Sequence, residues 1–210
     1  MRAAVLALLV AGAAEALDVS LEPYREARRA GAVGVVAGRA AAEPPTLRAP
    51  AQPYTGTTVR LLPHSVSLMA RLQRLRESSR ESSRAFAAAA PAMQKAHEAY
   101  ERDLLQAGAP DLTPMVLVDQ DGRFRIDDVP AGAWVLIAWH SAPVDVSAPK
   151  VKTGRRSLYR PQSRLRGYQA VTVWVRELTI AGGTTATVEL TDRNGWFRGV
   201  VEEREPGTGR

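Results

Sequence analysis

Hydrophobic residues alternate with polar ones over short stretches of this chain, except in one central block where they recur every three or four positions. Ala32 to Gly38 reads as a first strand, and Thr57 to Leu62 as a second with Thr57, Val59 and Leu61 on one face. Pro44, Pro45, Pro50 and Pro53 lie in the loop between them and cannot donate to a sheet ladder. From Val66 to Gln106 the pattern becomes helical. Leu68, Leu72, Leu75, Ser79, Ser82, Phe86, Ala89, Met93, Ala96 and Tyr100 form a heptad-like seam, with Ser65 as a candidate N-cap. Pro91 divides the block into predicted helices at 66–89 and 91–106, arranged as an antiparallel hairpin or as one kinked rod. Such an insert covers a face of the fold or projects as a coiled-coil arm through which the protein self-associates; the sequence leaves both open.

Strand character returns at Met115–Val118. Asp121-Gly122 predicts a tight β-hairpin turn, because glycine supplies the positive φ such turns need. Phe124 and Ile126 then point to one face and Arg123 and Arg125 to the other. Pro130-Ala-Gly132 makes a corner into Ala133–His140, which is apolar on both faces. Residues 143–167 read as a long loop. Tyr168–Ile180 is a strand with Val171, Val173 and Val175 opposite Thr172 and Trp174, and Thr184–Leu190 is its expected hairpin partner. A turn at Asp192–Gly195 leads into Trp196–Val201, and Glu202 to Arg210 reads as a frayed tail. About seven or eight short strands with regular turn signals predict a mainly β fold, an antiparallel immunoglobulin-like sandwich. Its predicted interruptions are a helical insert at 65–108 and a basic loop at 143–167.

The first residues have the look of an address. Met1-Arg2 is a short positive region, Ala3 to Ala13 an apolar run, and Ala14-Glu15-Ala16 a small-x-small cleavage pattern. Residues 1–16 are therefore expected to be a signal peptide, an uncleaved anchor being the alternative, and 17–210 a single exported domain, periplasmic or extracellular. No later segment is apolar over the ~20 residues a bilayer span requires, so no transmembrane segment is expected after signal cleavage. The chain has no cysteine, which excludes disulfides, thiolate metal sites and cysteine nucleophiles. Its 28 basic and 22 acidic side chains give a formal charge of +6, favouring anionic partners. Export turns that preference toward an anionic glycan or an envelope protein, and no nucleic acid partner is expected.

Catalytic constellations are not legible. His64, His97 and His140 lack metal-ligand spacing, and Asp119, Asp121, Asp127 and Asp128 lack the ligand pattern of a calcium loop. Ser78, Ser79, Ser82 and Ser83 sit in a helix among arginines without a nucleophile elbow. No cofactor, metal or catalytic residue is assigned, and no enzyme activity is expected. Two candidate contact surfaces remain. Trp174 and Trp196 are read as the exposed tryptophans, whose indole faces can stack on sugars. The loop carrying Lys150, Lys152, Arg155, Arg156, Arg160, Arg164 and Arg166 against the single acid Asp145 is the candidate polyanion contact.

Asp119-x-Asp-Gly-x-Phe-x-Ile-x-x-Val-Pro-Ala-Gly-x-Trp134 resembles the signature of carboxypeptidase regulatory-like domains, which are transthyretin-like sandwiches with a carbohydrate-binding-like fold. Gly34-Val-Val-Ala-Gly38, Gly56-Thr-Thr-Val-Arg-Leu61 and Ile180 to Leu190 resemble the family's opening strand, second strand and closing hairpin, in that order. The Pro-rich loop after the first strand and the helical insert depart from the simple domain. The resemblance implies an accessory module rather than a peptidase. The expected function is an exported, non-catalytic binding or scaffolding module of the cell envelope. The alternative is a carbohydrate- or polyanion-binding module using Trp174, Trp196 and the basic loop.

Overall fold

The computed structural model describes residues 17–44, 46, 50–144 and 163–206. The expected signal peptide at 1–16 lies outside the described residues. The described elements are α1 (Glu22–Arg29), β1 (Val33–Ala42), β2 (Gln52–Pro53), β3 (Thr58–Pro63), α2 (Val66–Ser78), α3 (Ser83–Gln106), β4 (Met115–Leu117), β5 (Arg123–Pro130), β6 (Gly132–Val144), β7 (Ser163–Ile180), β8 (Thr185–Leu190) and β9 (Phe197–Pro206). They form the predicted sandwich. One sheet is antiparallel throughout, in the order β4-β3-β6-β7-β9. In the other, β1 pairs antiparallel with β2 and β5 and parallel with β8.

The period-2 face of β5 buries Phe124 and Ile126 between the sheets, where they meet Val36, Trp134, Leu136, Trp174 and Leu190. The outer face of the five-stranded sheet is buried as well. Leu68 and Leu72 of α2, with Met93, Ala96 and Tyr100 of α3, pack on Val135, Ile137, Val173 and Val175. The seam read as heptad-like therefore points at the sheet. The insert is an antiparallel hairpin lying on the sandwich, and the fold has three layers with the five-stranded sheet in the middle.

The helix boundary differs from the prediction. The hairpin turns around Arg80–Glu81, and α3 continues through Pro91. Serines set that break. Ser78 and Ser79 hydroxyls donate to the carbonyls of Leu75 (3.2 Å) and Arg76 (2.7 Å), ending α2, and Ser82 accepts from the Ala85 amide at 3.1 Å to start α3. An internal proline costs about 3 kcal/mol. Burial of Ala89, Ala90, Met93 and Ala96 around it offsets that cost.

Two expected hairpins are instead crossings between sheets. Asp119 does make the tight turn, its Oδ1 accepting from the amides of Asp121 (2.9 Å) and Arg123 (2.7 Å), with Gly122 at φ 79°. Yet β4 pairs with β3 and β5 with β1, so the turn carries the chain from one sheet to the other. Likewise β8 leaves β7 at Ala181–Gly183 and lies parallel to β1. The glycines of β1 permit that approach: a methyl on Gly38 would run into the Val188 carbonyl oxygen and the Phe124 ring. The tail is also more ordered than read, because β9 pairs with β7 as far as Ser163↔Pro206. β6 and β7 likewise extend into the expected 143–167 loop, leaving 145–162 outside the described residues.

Helix α1 was not foreseen. Its Tyr24 hydroxyl donates to the Ala133 carbonyl, and its ring sits edge-on to Trp134 with centroids 5.1 Å apart. Trp134 donates its indole N–H to the Pro130 carbonyl at 2.9 Å, tying the Pro-Ala-Gly corner to the core. No helix among the described residues is long and apolar enough to cross a membrane.

Candidate ligand-binding site

The four tryptophans sort by layer. Trp174 is fully buried, which corrects its assignment as an exposed contact residue. The reason is the middle-layer position of β7. Val173 and Val175 face the helices while Trp174 faces the inter-sheet core, donating its indole N–H to the Thr191 carbonyl at 2.8 Å. Neither face of the strand meets water there.

Trp196 is half-buried and reaches the surface. It follows the Asp192–Gly195 turn, which is held by its own asparagine. Asn194 Oδ1 accepts from the Thr191 amide (2.8 Å), and its Nδ2 donates to the Glu189 carbonyl (2.9 Å). The Trp196 amide then donates to the Val173 carbonyl at 2.9 Å, placing the indole beside the end of α2. There the Arg76 guanidinium carbon lies 4.9 Å from the ring centroid, a cation–π contact.

Around this pair is a pocket of about 260 Å³ lined by Arg76, Ser79, Arg80, Phe86, Trp196, Phe197 and Arg198. Phe86 and Phe197 supply an apolar wall, their ring centroids 6.2 Å apart. No carboxylate lines the pocket, and neither Arg76 nor Arg80 pairs with an acid among the described residues. Arg198 donates to the Asp192 carbonyl oxygen, while the Asp192 carboxylate accepts from the Glu43 amide at 2.8 Å. That amide bond, first among the causes, holds the Asp192 carboxyl below its ordinary value. A guanidinium stacked on an indole keeps its N–H edge free for an oxyanion. The arrangement can therefore hold an anionic group beside an aromatic surface.

The predicted basic residues do not join it. The backbones of Arg164 and Arg166 lie in β7 rather than in a loop. The pairing Arg164↔Glu205 lies about eight residues, or roughly 25 Å, along the strand from Thr172↔Arg198. Arg155, Arg156 and Arg160 lie outside the described residues. Sequence reading missed Arg76, Arg80, Phe86 and Arg198. The available signal was two arginines four apart at a serine-terminated helix end.

The histidines occupy separate environments. His64 Nε2 lies 3.0 Å from Glu177, His140 Nδ1 lies 3.0 Å from the Thr57 hydroxyl, and His97 stacks edge-on with Trp139. Burial, reinforced by Arg60 and opposed by Glu98, holds His97 down to about 4, so it is neutral near pH 7. Among the described residues no group of three or more His, Asp or Glu side chains could hold a metal ion.

No family model and no curated protein matches the chain. Among solved structures, it is similar to a proposed carbohydrate binding protein from Pseudomonas aeruginosa, with 14% identity over 76% of this chain and 88% of that one and a TM-score of 0.44. It is also similar to a minor pilin of Streptococcus agalactiae, with 10% identity over 85% of this chain and a TM-score of 0.31, spanning 48% of the pilin's length.

Proposed function

We propose that the protein is an exported, non-catalytic binding module of the cell envelope, of the carboxypeptidase regulatory-like type, and that it holds an anionic glycan in the Trp196 pocket. One observation carries the reading: a surface tryptophan sits among Arg76, Arg80 and Arg198 in a pocket that no carboxylate lines. Sulfated or carboxylated sugars present an apolar ring face beside negative groups, and indole plus guanidinium answers both. The net charge of +6 adds long-range attraction of the same sign. The family reading is supported by the Asp119 turn, the Pro130–Gly132 corner and the order of the resembling strands.

Retention on immobilised heparin tests this reading, with a sulfate-free polysaccharide as control. Arg76→Ala/Arg80→Ala is expected to weaken binding by about 10–100-fold at low salt and to flatten its salt dependence by roughly two counterions. Replacing Arg155, Arg156 and Arg160 together by alanine removes three of the six net positive charges and is expected to weaken retention less than the double variant does. Unchanged retention in the double variant, or a larger loss in the loop variant, removes the pocket from the account.

A further inference from the structure

A second pocket, of about 200 Å³, lies where α3 crosses β3, β4 and β6, on the side of the sheet away from β9 and Trp196. Thr58, Arg60, Gln94, His97 and Glu98 supply its polar lining and Trp139 an indole. Arg60 is the unusual member. Its side chain is 17% exposed and ion-paired through Nη1 to Glu101, and Nη2 lies 3.3 Å from the Met115 sulfur. Its Nε is shielded from solvent and finds no acceptor among the described residues.

The remaining polar groups alternate in role. Gln94 donates to Glu98 at 2.9 Å, which leaves the Gln94 carbonyl oxygen and the second Glu98 oxygen as acceptors. Neutral His97 offers one donor and one acceptor, and Thr58 offers a hydroxyl. Trp139 supplies an indole wall, its centroid 6.3 Å from that of His97. Glu101 answers the Arg60 charge, and Glu98 adds a negative one, so this pocket disfavours anions where the Trp196 pocket attracts them. Donors and acceptors interleaved beside an aromatic ring match vicinal hydroxyls, each of which both donates and accepts.

We propose that this pocket binds one neutral, hydroxyl-rich ring, a single saccharide unit, with Gln94 and Glu98 holding its hydroxyls and Trp139 its apolar face. This inference is independent of the Trp196 reading. The test is the indole N–H spectrum of the ¹⁵N-labelled full chain, titrated to about 50 mM with D-glucose, D-galactose, D-mannose and N-acetylglucosamine, in the range suited to a dissociation constant near 1 mM. At least one sugar is expected to shift the Trp139 signal and leave Trp196 in place. Gln94→Ala and Glu98→Ala change exposed helix positions and are expected to weaken that response about 10-fold with an unchanged melting temperature. The proposal is overturned if no sugar moves Trp139, if tetramethylammonium moves it and sugars do not, or if both variants respond like the parent.

Discussion

Replacing Trp174 by alanine will lower the unfolding free energy by about 3–5 kcal/mol, the usual cost of emptying a large aromatic site in a core. Trp174 is fully buried in the middle layer, 5.5 Å from the Tyr54 ring centroid and hydrogen-bonded to the Thr191 carbonyl. Truncation leaves a cavity between two sheets that cannot collapse onto it, and it strips the Thr191 carbonyl of a donor. Trp196→Ala will behave differently. Its ring covers the edge of the helical layer, and its loss will cost about 1 kcal/mol or less while weakening retention on heparin. Urea denaturation of both variants, with binding measured on the folded fraction, separates the roles. A mild stability effect at Trp174 accompanied by lost binding would reverse the assignment of the two residues.

Acidification from pH 6.5 toward pH 4 will destabilise the protein by on the order of 3 kcal/mol through His97 alone. Burial is the main cause of its low value, with the Arg60 charge second. Above pH 6.5 the imidazole is neutral in both folded and unfolded chains, and its full contribution to stability is present. Below that value the unfolded chain takes up a proton that the folded chain refuses until about pH 4, so stability falls across this window and levels off beneath it. His140, also held low by burial, acts in the same direction, and Asp192 loses its contribution only in stronger acid. The comparison that isolates His97 is therefore His97→Gln, which cannot ionise. Its stability-against-pH curve is expected to lack one proton's slope between pH 6.5 and 4. Parallel curves for the two proteins would show that His97 titrates normally in the folded state.

The sandwich was legible because β-period alternation survives in any half-buried strand, as at Phe124 and Ile126, and because Asp119–Gly122 and Pro130–Gly132 announce changes of direction. Which strand pairs with which was not. Asp121-Gly122 gives a tight turn equally well within one sheet or between two, and the decision lies in what β1 accepts on each side. Gly38, a residue without a side chain, carries that information. The helical seam was read correctly as a face, but periodicity says nothing about what covers it; the apolar outer positions of β6 and β7, Val135, Ile137, Val173 and Val175, were the missing half. Once that sheet is seen to be covered on both sides, Trp174 cannot be exposed. The candidate site was harder to read because its members come from α2, α3 and β9, joined only by tertiary packing. Trp196 was found from its turn. Arg76 and Arg80 were passed over as flanks of a serine cluster.

The four indole N–H signals of the labelled protein provide the most direct test of the account. Trp134 and Trp174 report on the inter-sheet core, Trp139 on the pocket beside α3, and Trp196 on the arginine pocket. On titration with a sulfated oligosaccharide, the Trp196 signal is expected to shift progressively while those of Trp134 and Trp174 stay fixed, and Arg76→Ala/Arg80→Ala is expected to move the midpoint of that shift about 10–100-fold higher in ligand. A spectrum unchanged at saturating ligand, or a midpoint that the double variant leaves in place, would contradict the arginine pocket.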